Sequence, residues 1–394
     1  MANQSRLRQE NMLNILKTIR KSGAVSKPEI AKMTNLTSVT AHNFINELVD
    51  KKLVSEAGFA KSRGGRKAAL YSLNPDFCYI LGQYLGRNAI STSVYNINLE
   101  RLYHHRIKYT HDYSDRIIAL MADEIERAIG GCKRKKADFL GVGISVPGQV
   151  NHESGVIVNL TEMPGWNGIA LKEEIEAKTG VGTYVDNDNR AAAAAVKWSK
   201  LVPENSDFVC ISIGEGVGTG ILTGGSLFYG GHSNTGEIGH TTIQYDGPLC
   251  KCGNRGCIEA IISDYAIVEK AKQAGLDGLS DIFSVIALAK DGNQTVRDIL
   301  KETGFFTGIA VEHIVKMFDP DSIVIQSNWI GEFPDIQYYI VNNVFARCAW
   351  ARKDALKILF NTAEDLENTG PPALVLENCF RLSAENMLFQ RLSI

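Results

Sequence analysis

A chain of 394 residues is longer than one compact core supports, so two or three domains are expected. Apolar residues make up 44% and Pro numbers only 10, which argues against long disordered tracts. The N-terminus, MANQSRLRQENML, has no signal-peptide core and no run approaches a membrane span, so a cytoplasmic protein is expected. The eight cysteines form no secreted disulfide framework, which agrees. Net charge is −2 overall but uneven: residues 1–75 hold thirteen Lys+Arg against five Asp+Glu, +8, leaving −10 for the rest. A basic head on an acidic body points to a phosphate-binding module joined to a domain with another task.

In the head, Met12, Ile15, Leu16 and Ile19 recur at helical spacing and predict an amphipathic helix over 11–21. Ser26 and Glu29 have capping-box spacing, with Pro28 in the first turn, and start a second helix over Ile30 and Met33. Thr37 caps a third helix, which buries Ala41, Phe44, Ile45, Leu48 and Val49. Three short helices with a tight turn before the third match a helix-turn-helix. Residues 53–57 and 69–73 then pair as a hairpin with Lys61, Arg63, Arg66 and Lys67 at its tip, a wing able to reach phosphates or a minor groove. The third helix turns Ser38, Thr40, His42, Asn43 and Asn46 outward, side chains suited to base edges. The head, residues 1–75, is therefore expected to bind double-stranded DNA.

From residue 76 strands and helices alternate, which predicts α/β architecture. Strands are expected at 77–85, 91–96, 101–109, 139–145, 183–185, 208–213 and 322–325, with helices at 116–130 and 307–318 and an Ala-rich helix after Asp188. Two lobes are expected, a small one over 76–195 completed by 379–394 and a large one over 196–378.

The stretch from Gly236 to Glu259 stands apart. His240, Cys250, Cys252 and Cys257 crowd into eighteen residues, while the other five cysteines are scattered singly. Three thiolates and one imidazole are the usual closed tetrahedral set for a structural Zn²⁺, and Gly253 and Gly256 bracket a tight turn that lets the thiols face one ion. A metal that fixes this loop also holds the nearby carboxylates Glu237 and Glu259 rigidly.

Taken together these segments resemble the ROK family of repressors, open-reading-frame proteins and sugar kinases. The resemblance rests on Pro147-Gly148, Asn159-Leu160, Gly165-Trp166, Asn187-Asp188, Gly214–Ile221, Gly236–His240 and the Cys-x-Cys-Gly-x-x-Gly-Cys-x-Glu run, all in family order. It implies an N-terminal winged helix-turn-helix followed by a two-lobed, actin-like (ribonuclease-H-like) sugar-kinase fold. It also makes Asn187, Asp188, Glu237, His240 and Glu259 the sugar-contact set. Asp188 stands where the family's kinases keep their base, although a carboxylate there can accept a sugar hydroxyl's hydrogen bond with no chemistry.

Departures from the kinase pattern decide between catalysis and sensing. The first phosphate turn reads Tyr84-Leu85-Gly86-Arg87-Asn88, without the acidic residue that assists Mg²⁺. The second reads Gly214-Glu215-Gly216, with a carboxylate facing the expected phosphates. The third reads Gln326-Ser327 in place of a glycine pair. Arg190 replaces the usual Asn after Asn187-Asp188, and residues 161–163 look inserted; both bear on which sugar is taken. The expectation is a non-enzymatic, sugar-responsive repressor of carbohydrate-utilisation genes. It binds a monosaccharide in a kinase-derived cleft without phosphorylating it, and acts as a homodimer on a palindromic operator. One alternative is a bifunctional, ATP-dependent sugar kinase with an appended DNA-binding head; another is a regulator controlled mainly by a protein partner.

Overall fold

In the computed structural model, described for residues 2–60, 67–110, 113–160, 163–199, 201–203, 206–348, 355–362, 366–381 and 387–392, helix α1 (Ala2–Ser22) buries Met12, Ile15, Leu16 and Ile19 completely. A two-residue strand β1 (Val25–Ser26) leads into α2 (Lys27–Met33), where the Glu29 carboxylate accepts the Ser26 N–H at 3.0 Å and its hydroxyl at 2.6 Å. Helix α3 (Ser38–Asp50) starts as Thr37 Oγ1 accepts the Thr40 N–H at 3.1 Å. It buries Ala41, Ile45 and Leu48, with Phe44 and Val49 half-buried. Met33, the last residue of α2, is 53% exposed, while Ile30 is fully buried. Strands β2 (Val54–Phe59) and β3 (Ala69–Leu73) form the expected antiparallel hairpin, and β1 joins it to give the order β1-β3-β2. The head is a winged helix-turn-helix.

The body holds two five-stranded sheets of one topology. In the first, β4 (Tyr79–Leu85), β5 (Ala89–Asn96) and β6 (Arg101–Lys108) make an antiparallel meander. After α4 (Ser114–Gly131), β7 (Phe139–Val146) lies parallel to β4. A small hairpin, β8 (Gln149–Asn151) with β9 (Val156–Asn159), and α5 (Leu171–Thr179) precede β10 (Thr183–Asn187), giving the order β10-β7-β4-β5-β6. Ile125, Val142, Ile144, Trp166 and Ile175 anchor its core, and Met163 is buried among them.

The second sheet repeats the scheme. Helix α6 (Asp188–Trp198) precedes the meander β11 (Phe208–Ile213), β12 (Val217–Thr223) and β13 (Ser226–Leu227). Helices α7 (Glu259–Ile262), α8 (Asp264–Gln273), α9 (Ile282–Lys290) and α10 (Gln294–Phe318) follow. Then β14 (Ser322–Gln326) pairs parallel with β11, and β15 (Lys357–Asn361), after α11 (Pro334–Arg347), pairs parallel with β14. The order β13-β12-β11-β14-β15 matches the first sheet strand for strand. Val209, Ile211, Ile323 and Ile325 face α8–α11 across the core.

Contacts divide the chain into residues 1–186 with 367–394, and residues 187–366. The sequence reading ended the small lobe at 195; α6 packs on β11 and β12 and lies in the second unit. Helices α12 (Leu366–Cys379) and α13 (Met387–Leu392) return to the first. Asn368 in α12 accepts the Ser91 hydroxyl of β5 at 2.7 Å. In α13, Arg391 donates to the carbonyls of Ala137 (2.7 Å) and Phe77 (3.1 Å), and the Leu392 carbonyl accepts from Lys51 at the end of α3. The C-terminal helix thus ties the head to the first sheet. Among the described residues, no helix is long and apolar enough to cross a membrane.

Candidate functional site

The second unit opens on a dense polar start to α6. Asn187 caps the helix: its Oδ1 accepts the N–H groups of Asn189 (2.9 Å) and Arg190 (3.3 Å), and its Nδ2 donates to Asp188 Oδ1 at 3.0 Å. Asp188 Oδ1 also accepts the Asn189 N–H at 2.8 Å and the Asn189 amide at 3.1 Å. Gly218 of β12 makes room for that amide, since a Cβ there would lie 2.4 Å from Asn189 Nδ2. Burial pushes the Asp188 carboxyl up to about 7; the Asn189 N–H opposes this, the Glu237 carboxylate adds to it, and Arg190 opposes it. So Asn187 is occupied as a cap, while Asp188 offers an oxygen beyond those bonds.

Arg190 was noted in the sequence only as a departure. It is 3% exposed, donates from Nη1 to the Ser233 carbonyl at 3.0 Å, and lies 5.5 Å from the Tyr229 ring centroid. It therefore fastens the segment before Glu237 onto α6. The far end of that segment is held by Thr219 of β12, whose N–H and hydroxyl both donate to the Gly236 carbonyl at 2.8 and 3.1 Å. Glu237 follows, its side chain 43% exposed and its oxygen 3.9 Å from His240 Nε2. Burial by its surroundings raises the Glu237 carboxyl, its interactions with His240 and Arg190 pull it down, and Glu259 adds a smaller rise.

A 3₁₀ turn over Ile238–His240 aims the imidazole into the cysteine loop. One ligand atom each from His240, Cys250, Cys252 and Cys257 lies within 4.8 Å of the others, a group able to hold a metal ion. His240 Nδ1 is 3.7 Å from Cys250 Sγ, and Cys252 Sγ is 3.7 Å from Cys257 Sγ. A tetrahedral ion with metal–sulfur bonds near 2.3 Å requires sulfur–sulfur edges of about 3.8 Å, so this donor set fits. With Nδ1 turned to the thiols, Nε2 is left on the Glu237 side, which lets one imidazole serve both the loop and a ligand. Glu259 also braces the loop: it is 9% exposed, its Oε2 accepts the Val217 N–H at 3.1 Å, and its Oε1 is 4.0 Å from Cys250 Sγ. It pins the loop to the start of β12.

The ROK family model matches residues 80–361, spanning both sheets and the cysteine loop. The chain belongs to the ROK family. The xylose repressor of Caldicellulosiruptor bescii is 31% identical over 348 residues, covering 84% of this chain and 87% of that protein. The transcriptional dual regulator NagC of Escherichia coli is 24% identical over 329 residues, 81% of this chain and 80% of NagC. Among solved structures, a ROK family transcriptional regulator homologous to the E. coli MLC protein matches with a TM-score of 0.82 and 27% identity, over 99% of this chain and 100% of that one. A ROK hexokinase from Thermus thermophilus covers only 75% of this chain, with a TM-score of 0.65 and 22% identity, and shares the fold.

The two turns of the second unit that the resemblance matches to phosphate turns lie side by side, because Ser212 of β11 is in register with Gln326 of β14. The first is tight, with the Gly214 N–H donating to the Gly216 carbonyl at 3.0 Å, and carries Glu215 exposed at its tip. In the second, Gln326 and Ser327 are each 1% exposed, and the Ser327 hydroxyl accepts the N–H groups of Trp329 and Ile330 at 3.4 Å. Trp329 is wholly buried and donates from Nε1 to Asp264 at 2.9 Å, while the Asp264 N–H donates to the Gly214 carbonyl at 2.8 Å. Burial pushes Asp264 up to about 6; the Trp329 bond opposes this and the Glu215 charge adds to it. A packed indole therefore links the two turns. Neither Trp329 nor Asp264 was singled out in the sequence, since an isolated Trp reads as core until its partner is known. The remaining turn of that set, Gly86–Ala89 in the first unit, closes by the Gly86 N–H donating to the Ala89 carbonyl at 2.9 Å.

In the head, Ser38, His42 and Asn43 are exposed as expected, and so is Lys67 beside the wing tip. Thr40 is half-buried and its hydroxyl lies 2.8 Å from that of Thr37, so it serves the cap. Asn46 is also half-buried and accepts from Lys27 Nζ at 2.5 Å. Lys61, Arg63 and Arg66 lie outside the described residues.

Proposed function

We propose that the chain is a cytoplasmic, sugar-responsive transcriptional repressor that binds a monosaccharide on Asp188, Glu237 and the Nε2 side of His240, without phosphorylating it. Asn187 and Glu259 hold that set in place. One observation carries the reading: a winged helix-turn-helix heads a ROK body whose two second-unit phosphate turns are joined by a buried indole and bear an exposed carboxylate. Phosphoryl transfer needs donors preorganised around the nucleotide, and a carboxylate with packed side chains is the opposite arrangement. Relatives of like length are named as repressors and regulators, which supports a regulator and not an enzyme.

His240, Cys250, Cys252 and Cys257 would hold a structural Zn²⁺, which neutralises the thiolates and fixes the loop. The remaining roles belong to the protein: Asp188 accepts a sugar hydroxyl, Arg190 anchors the segment leading to Glu237, and Glu259 joins the loop to β12. Two chains would place their α3 helices in successive major grooves of a palindromic operator. Sugar control requires that the sugar bind the DNA-competent and DNA-released states with unequal affinity. A gel-shift titration with a monosaccharide panel tests this, beside a thermal-shift screen of the same panel. Operator affinity that no sugar alters would sink the effector role. The kinase alternative predicts ATP-dependent sugar phosphorylation abolished by Asp188→Asn, and a coupled assay showing no turnover removes it.

A further inference from the structure

The outer face of α3 carries a residue to which the roles above assign nothing. At about 100° per residue, Val39 lies between His42 and Asn43 on a stripe directly opposite the buried Ala41, Ile45 and Leu48. Ser38 and Thr40 fall on the flanks of that stripe. Val39 is 71% exposed, a branched alkyl group held in water on the first turn of the helix. Its two neighbours on the stripe are exposed hydrogen-bonding side chains, while Asn46, further along, is tied back to Lys27.

A single exposed apolar residue usually needs no explanation. This one sits at the N-terminal turn of the third helix of a helix-turn-helix, the part that meets base edges. The major groove displays one apolar group among its donors and acceptors, the C5-methyl of thymine, and Asn is the matched bidentate partner of adenine. We propose that Val39 reads a thymine C5-methyl while Asn43 reads the adenine of a neighbouring pair, so that each half-site contains adjacent A·T pairs. The proposal rests on α3 being the DNA-reading helix, and it adds a specificity determinant to that reading.

The test begins with selection of preferred duplexes from random-sequence DNA by the full-length protein. Each thymine of the selected site is then replaced by deoxyuridine, which removes only the methyl group. The expected result is one position per half-site at which the replacement weakens wild-type binding about fourfold, the worth of one buried methyl group. Val39→Ala, a surface change on a helix that tolerates Ala, should lose a similar factor on the thymine duplex and be indifferent to deoxyuridine there. Wild-type indifference at every thymine, or undiminished sensitivity in Val39→Ala, overturns the proposal and leaves DNA binding standing. A selection that enriches no sequence removes the operator reading along with it.

Discussion

Two glycines of the cysteine loop should respond very differently to the same substitution. Gly253 and Gly256 have φ of +91° and +64°, so Ala at either carries a left-handed strain of about 1–2 kcal/mol. At Gly253 nothing lies within 4 Å of the added Cβ, and strain is the whole cost. At Gly256 the Cβ would sit 1.6 Å from the Gln244 carbonyl oxygen, so the backbone must move. That movement breaks the bond from the Gly256 N–H to the Pro248 carbonyl (2.9 Å) and those from the Ile243 and Gln244 N–H groups to the Gly256 carbonyl (2.9 and 3.3 Å). At about 1 kcal/mol each, the total with the strain reaches roughly 4–5 kcal/mol, and the displaced neighbour is Cys257, one of the four residues able to hold a metal. The assay is zinc content by chromogenic chelator, with the rate of metal loss to excess chelator. Gly253→Ala should retain about one zinc per chain, whereas Gly256→Ala should be substoichiometric and release its metal faster. Full, slowly released zinc in Gly256→Ala would refute the geometric argument for the loop.

Asp188 should leave a signature in the pH dependence of stability. Its folded-state value, about 7, lies above the ordinary 3.8, so the native state binds the extra proton and wild-type stability falls as pH rises between those values. Asp188→Asn should gain on wild type across that window in thermal melts and gain nothing more above it; a pH-independent difference would contradict the burial. Arg190→Met should weaken sugar-induced thermal stabilisation by removing the donor to the Ser233 carbonyl, while operator affinity in gel shifts stays near wild type. If it abolishes DNA binding equally, Arg190 serves general folding and not the effector segment. Arg391→Ala removes both backbone-directed bonds of α13, and hydrogen exchange should show faster exchange in α13, with faster exchange at the C-terminal end of α3 through the Lys51 contact. Unchanged protection in both segments would show that α13 is held by its apolar side chains alone.

Much of the molecule was legible because its signals are local. Ser26 with Glu29, and Thr37 before the third helix, announce caps whose bonds close within three residues, and the structure forms them. The His–Cys–Cys–Cys set was equally plain, since eighteen residues of chain and two glycines suffice to bring four ligand atoms together. The outward side of α3 was read less well. Polarity selected Thr40 and Asn46, but the Thr37 cap and Lys27 engage them, while the apolar Val39 points straight out.

The long-range pairings had no such signal. Residue types at 214–216 and 326–327 depart from the phosphate turns that the resemblance implies, but they did not show that Trp329 and Asp264 join these segments across 65 positions. Nor did spacing reveal that Arg190 reaches a carbonyl 43 residues away, or that Glu259 lies on the Val217 N–H. Caps, ligand spacing and amphipathic stripes are written in neighbouring residues, so the order of amino acids alone was enough to determine them. Which buried polar group meets which partner depends on strand register and on how α6 packs over β11 and β12. Hydrogen bonds confer selectivity only at about 3 Å, a distance that the folded packing alone establishes.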